Sequence, residues 1–123
     1  MISHLHSTTV VVSDQDRALE FYVDTLGWEK GFDARLSDEM RYVTVVPPGA
    51  ATQLALGVPG WFEGRAPGGN TGIALSSPDI DATYETLKGR GVRFKEPVSM
   101  MPWGAKATWF YDPDGNEFFL AEG

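Results

Sequence analysis

An α+β fold built from two copies of one strand–helix–three-strand unit is predicted by three features of the chain. Short β-branched runs alternate with two helical periodicities, and the order strand, helix, three strands occurs twice. Three acidic residues, Asp14, Asp16 and Glu20, also recur as Asp79, Asp81 and Glu85 at a constant spacing of 65 positions. At 123 residues the chain is long enough to bury a core as a single domain without covalent staples. The expected organisation is module one over residues 1–57, a linker over 58–70 and module two over 71–123.

Residues Thr8 to Val12 form the first β-branched run, which ends at Ser13-Asp14-Gln15-Asp16. Ser13 is a natural helix N-cap there, with a carboxylate three positions later. In the helix that follows, Ala18, Leu19, Tyr22, Val23 and Leu26 recur at three- and four-residue spacing, and Gly27 stands where a left-handed C-cap is expected. Trp28, just beyond it, is read as core. Three strands are then predicted, Glu29 to Leu36, Arg41 to Val46 and Thr52 to Leu56, separated by Ser37-Asp38-Glu39 and Pro47-Pro48-Gly49. The Gly- and Pro-rich stretch from Gly57 through Asn70 reads as a long loop between the halves.

The order restarts at Gly72-Ile73-Ala74-Leu75, which leads through Ser76-Ser77-Pro78 into a helix carrying Ile80, Tyr84 and Leu87 and ending near Gly89 to Gly91. Val92 to Phe94 and Ala105 to Tyr111 are strands, and Asp112-Pro113-Asp114-Gly115-Asn116 is a turn into the last strand, Glu117 to Ala121. Alternation along Ala105 to Tyr111 puts Trp109 with Tyr111 on one face and Thr108 with Phe110 on the other. Either pair could face a site.

Seventeen Asp and Glu against ten Lys and Arg give a net charge of −7, which disfavours a nucleic-acid partner and favours cationic small ligands. With no cysteine there is no disulfide, thiolate nucleophile or thiolate metal site. The start of the chain lacks a basic patch followed by an apolar run, and no stretch approaches a membrane span, so a cytoplasmic location without membrane contact is expected. No Ser-His-Asp constellation stands out, and Gly64, Gly68 and Gly69 are not followed by the Lys-Ser or Lys-Thr of a phosphate loop. Acid–base chemistry by Glu117 with Tyr42 or Tyr111 is a further, unspecific option.

The string Val11-Val12-Ser13-Asp14-Gln15-Asp16-Arg17-Ala18-Leu19-Glu20-Phe21-Tyr22 with Leu26-Gly27 resembles the first-module signature of the vicinal oxygen chelate group, which includes glyoxalase I, bleomycin-resistance proteins and extradiol dioxygenases. Tyr84-Glu85-Thr86-Leu87, Gly91-Val92 and the Asp112 to Asn116 turn resemble its second module. The resemblance implies a curved, cup-shaped sheet from two βαβββ modules around a small-molecule site, within one chain or across a dimer. It is specific for fold and much less so for activity.

In metal-dependent members of that group a His lies seven residues before the first-helix Asp of each module, and carboxylates come from the last strands. The matching positions here are Ser7 and Gly72, with Phe119 at the acidic place on the last strand and Gln53 near its module-one counterpart. One weak ligand does not make a catalytic centre, which needs about three protein ligands and an open position. The resemblance therefore implies a degenerate metal site, no cofactor, and a small-molecule ligand. The expected function is sequestration of a hydrophobic or cationic compound, such as an antibiotic, by a homodimer.

Expected contacts to that ligand are Ser7, Gln53, Trp61, Phe62, Met101, Trp103, Trp109, Tyr111, Glu117 and Phe119, with Met100 and Pro102 beside them. The alternative is a lyase or extradiol-dioxygenase-type enzyme with a divalent metal ion on a shifted site built from His4, His6 and Glu117 or Glu122. His4 and His6 are the only histidines, and their spacing puts both on one side of an extended strand. A third reading is a cup filled by its own side chains, with function through a partner protein.

Overall fold

The computed structural model describes residues 1–61 and 64–123. The chain divides into two compact units, Met1–Pro67 and Gly68–Gly123.

In the first unit, β1 (Ser7–Val11) leads into α1 (Gln15–Leu19), which widens into a π-helical segment over Glu20–Thr25. The strands β2 (Glu29–Arg35), β3 (Arg41–Val46) and β4 (Gln53–Gly57) follow, and the sheet order is β1-β4-β3-β2. β1 runs parallel to β4, while β4, β3 and β2 are antiparallel neighbours. The helix begins one residue later than the sequence suggests. Asp14, not Ser13, is the cap, because its carbonyl accepts the first intrahelical bond, from Ala18 N, and its carboxylate accepts from Asp16 N and Arg17 N. At the far end Leu26 N bonds Phe21 O and Trp28 N bonds Tyr22 O, and Gly27 takes the positive φ of 80° that this termination requires. Strand alternation sends Val43, Val45, Leu54 and Leu56 to one side, where with Val10, Ala18 and Tyr22 they form the buried core. Trp28 is half-buried and packs on Tyr22.

The second unit comprises β5 (Gly69–Ser77), α2 (Ile80–Gly89), β6 (Arg93–Phe94), β7 (Ser99–Met100), β8 (Lys106–Tyr111) and β9 (Asn116–Glu122). The path is β5-β9-β8-β6, and β7 also pairs with β8. Because β9 occupies one edge of β8, β6 and β7 share the other and act as one outer strand. The sequence predicts its first part and places Met100 in a loop. The interruption arises because five residue steps, Phe94 to Ser99, face three, Phe110 to Ala107. Asp79 caps α2 by accepting from Ala82 N. The core side carries Phe110 stacked on Phe118 at 5.4 Å, with Phe94 bridging from Phe110 to Tyr84 of α2.

The predicted Asp112 to Asn116 turn is held by its first residue. The buried Asp112 carboxylate accepts from Asp114 N, Asn116 N and Asn116 Nδ2, while Gly115 takes a φ of 78° and donates to Asp112 O. The acidic repeat is structural too. Asp16 on α1 pairs with Arg41 at 2.8 Å, and Asp81 on α2 pairs with Lys106 at 2.6 Å, each cation lying 25 positions after its acid at the start of a strand. Among the described residues no helix is long and apolar enough to cross a membrane.

Candidate functional site

Pairing across β8 and β9 settles which residues turn away from the helix. Thr108 and Phe110 lie buried on the α2 side, opposite Leu120 and Phe118. Trp109 and Tyr111 project from the other side, opposite Phe119 and Glu117. There Trp103, Phe119 and Trp109 form a row with ring centroids 6.2 and 5.1 Å apart. Trp103 is 64% exposed and is carried on the tight turn between β7 and β8, which is closed by a bond from Gly104 N to Met101 O. Met101 thus anchors the turn that presents the ring.

Glu117 gives this aromatic surface its charge. The residue is buried; its Oε2 accepts from Asn70 Nδ2 at 2.8 Å and its Oε1 lies 3.4 Å from Lys95 Nζ. Lys95 Nζ also stands 5.8 Å from the Trp109 ring centroid, and the Arg93 guanidinium lies 5.1 Å from that of Tyr111.

In the first unit, Ser7 and Gln53 open β1 and β4 as direct partners. The Gln53 side-chain oxygen accepts from the Thr44 hydroxyl; Thr44 Oγ1 in turn accepts from Phe32 N. Trp61, at the end of a 3₁₀ turn over Pro59–Trp61, stacks on Tyr42 at 5.8 Å and 14°, and Tyr42 touches Phe32 at 5.6 Å. A pocket of about 570 Å³ beside this row is lined by Glu39, Met40, Val58, Gly60 and Trp61. Phe62 lies outside the described residues. Each unit therefore carries a row of three aromatic rings.

Of these participants, sequence reasoning missed Phe32, Arg93, Lys95 and Asn70. Phe32 was legible as the strand neighbour of Tyr42. The other three were not, because their roles depend on the register of β5 and of the broken outer strand.

The residues at the expected metal positions do not fit a divalent ion. Ser7 offers a hydroxyl, Gly72 sits in an interruption of the β5–β9 pairing with φ 72°, and Phe119 belongs to the aromatic row. Register also corrects one correspondence. Ala74 pairs with Phe119 as Thr9 pairs with Ala55, so Ala55 is the module-one counterpart of Phe119, and Gln53 corresponds to Glu117. His4 and His6 are exposed ahead of β1; His4 Nδ1 shares a hydrogen bond with Ser3 Oγ. Glu122 is exposed at the end of β9. Among the described residues no three His, Asp or Glu side chains form a group that could hold a metal ion.

The glyoxalase/bleomycin resistance protein/dioxygenase family model matches residues 4–120. The chain belongs to this superfamily. YetH of Bacillus subtilis (strain 168), itself uncharacterised, is 32% identical over 122 residues, covering 99% of this chain and 100% of that one. A solved superfamily member from Sphaerobacter thermophilus DSM 20745 is 63% identical with a TM-score of 0.96, covering 99% of this chain and 98% of that one. TnmS3, an antibiotic-binding protein from Streptomyces sp. CB03234, is 38% identical with a TM-score of 0.87, covering 98% of this chain and 96% of that one. The resemblance read from Val11 to Gly27 and from the Asp112 turn is thereby borne out, and so is the α+β class of the glyoxalase/bleomycin-resistance fold, with two mixed sheets where a single curved sheet is expected.

Proposed function

We propose that this superfamily member is a binding protein that holds a flat hydrophobic or cationic small molecule, such as an antibiotic, against the aromatic row of its second unit without a metal ion. The observation that carries the reading is the Trp103–Phe119–Trp109 row with the buried Glu117 at its edge. Half-exposed rings supply dispersion and burial for a planar guest, and one placed carboxylate supplies orientation. The likeness to TnmS3 supports the same class of ligand. The side chains that would have to bind a cation for lyase or dioxygenase chemistry are a hydroxyl, a glycine and a phenyl ring, which favours binding over catalysis. A homodimer belongs to this reading, supported by the exposed apolar side chains of Phe32, Leu36 and Met40.

The test is a titration with planar aromatic and glycopeptide antibiotics, followed by tryptophan fluorescence. A saturable change is expected, with Trp109→Ala weakening the responding compound about tenfold. Silence from all four tryptophans across the panel would remove the proposal. Metal analysis of protein purified without chelator or affinity tag probes the alternative. A stoichiometric divalent ion that disappears in His6→Ala would replace binding by metalloenzyme chemistry.

A further inference from the structure

We infer that Lys95 is a tethered stand-in for the cationic group of the ligand, so that the second-unit site selects a planar compound bearing an ammonium or amidinium group. The inference rests on the small-molecule reading above and specifies its ligand class. Two partners define the place such a group would occupy, the face of Trp109 and the outward oxygen of Glu117. Lys95 Nζ is held by both, 5.8 Å from the ring centroid and 3.4 Å from Oε1.

The two ends of this pair differ in freedom. The Glu117 side chain is only 10% exposed, its other oxygen is tied to Asn70 Nδ2 at 2.8 Å, and its backbone lies between β5 and β8, paired with Asn70 and Tyr111. It stays where it is. The Lys95 side chain is 53% exposed, on a four-carbon stem, in the interruption between β6 and β7. Its separation from Oε1 is longer than the roughly 2.7–2.9 Å of a strong charge-assisted hydrogen bond. An ammonium that can leave for water at little cost faces a carboxylate that cannot follow it.

A planar cation entering over Trp109 would take both partners and release Lys95. A planar anion would meet the immobile Glu117 in a chain whose net charge is −7. The neighbouring cation, Arg93, is engaged on the Tyr111 ring.

The experiment titrates the full chain with two dyes of one tricyclic outline and opposite charge, aminoacridine and anthracene carboxylate, at neutral pH. The wild type should prefer aminoacridine. Lys95→Ala should tighten aminoacridine about fivefold to tenfold, and Glu117→Gln should weaken it about tenfold, consistent with one cation–π contact or one ion pair gained or lost. In the double variant the gain from Lys95→Ala should vanish. If Glu117→Gln does not fold by circular dichroism, the Lys95→Ala arm decides alone. Tighter binding of anthracene carboxylate than of aminoacridine, or weaker aminoacridine binding by Lys95→Ala, overturns the inference and leaves the aromatic site standing. Failure of both dyes to bind overturns the inference together with the reading beneath it.

Discussion

The two modules share a scaffold, and the clearest difference between them lies in how each holds its outer strand. In module one β2 carries a single-residue irregularity between Lys30 and Phe32. The Thr44 hydroxyl pins it by accepting from Phe32 N and donating to Gln53. In module two the outer strand is broken outright, and Thr108, on the core side, donates to Glu96 O to hold the break. The polar side chain on the strand next to β1 is thus consumed by architecture in module one. Its counterpart on β9, Glu117, spends one oxygen on Asn70 Nδ2 at the β5 register shift and keeps the other beside Lys95 and the aromatic row. Where the outer-strand break is held from the core side, one oxygen of the buried carboxylate takes no part in strand anchoring.

Removing Asp112 should have the largest effect on this comparison, because module one has no equivalent of its turn. Asp112→Ala leaves three donors without their buried acceptor and should cost roughly 3 kcal/mol, read as a lowered urea midpoint. The Pro47 to Ala50 turn of module one is closed by one backbone bond, Ala50 N to Pro47 O, so Pro48→Ala should cost less than about 1 kcal/mol. Equal losses from the two turns would mean that Asp112 is not what holds the hairpin.

The bulges separate next. At Gly31 an added Cβ would lie 2.6 Å from Thr44 Oγ1 and 2.8 Å from Gln53 Oε1, so Gly31→Ala must displace the hydrogen-bonded pair. It should cost about 2 kcal/mol. Only the carbonyl of Glu96 is used in module two, so Glu96→Ala should change stability by less than about 0.5 kcal/mol. Gly31→Ala matching wild type in a thermal melt would show that the module-one bulge is not locked.

Fold was legible wherever a local rule and the repeat agreed. The acidic triplet at a spacing of 65 marked both helix starts, and the structure gives physical reasons: Asp14 and Asp79 are caps, and Asp16 and Asp81 anchor cations at the start of a strand in each module. What failed locally was one position of capping, where Ser13 and Asp14 are both good cap residues and only backbone bonding chooses between them. β7 was illegible because its two residues gain strand geometry only by pairing with β8. The site was half legible. Trp109 and Phe119 converge by strand alternation and register, and Trp103 joins them from the turn closed at Met101 and Gly104. Lys95 and Asn70 enter through a broken strand and a register shift between Asn70 and Ala74, neither of which has a periodic signature.

The smallest expected difference is electrostatic. Arg41 grips Asp33 with two bonds of 2.9 Å and reaches Asp16 with a third group, whereas Lys106 meets Asp81 alone. The Arg41 guanidinium holds the Asp33 carboxyl down from 3.8 to about 2. A carboxyl with a depressed folded-state pKa adds stability at pH values above its unfolded value, and that contribution is lost as pH falls through the folded one. Arg41→Ala should therefore cost on the order of 1 kcal/mol at neutral pH, after allowing for solvent screening. The gap to wild type should close between about pH 4 and pH 2. Lys106, raised by its hydrogen bond to Asp81, has the opposite sign: its contribution is present below the ordinary lysine range and is lost as the pH rises through the raised value in alkali. Lys106→Ala should leave the neutral and acid melting midpoints unchanged within error, because an exposed single pair is screened by solvent. An Arg41→Ala gap that stayed constant from neutral pH to pH 2 would mean that burial of the arginine stem, and not the pairing with Asp33, accounts for the loss.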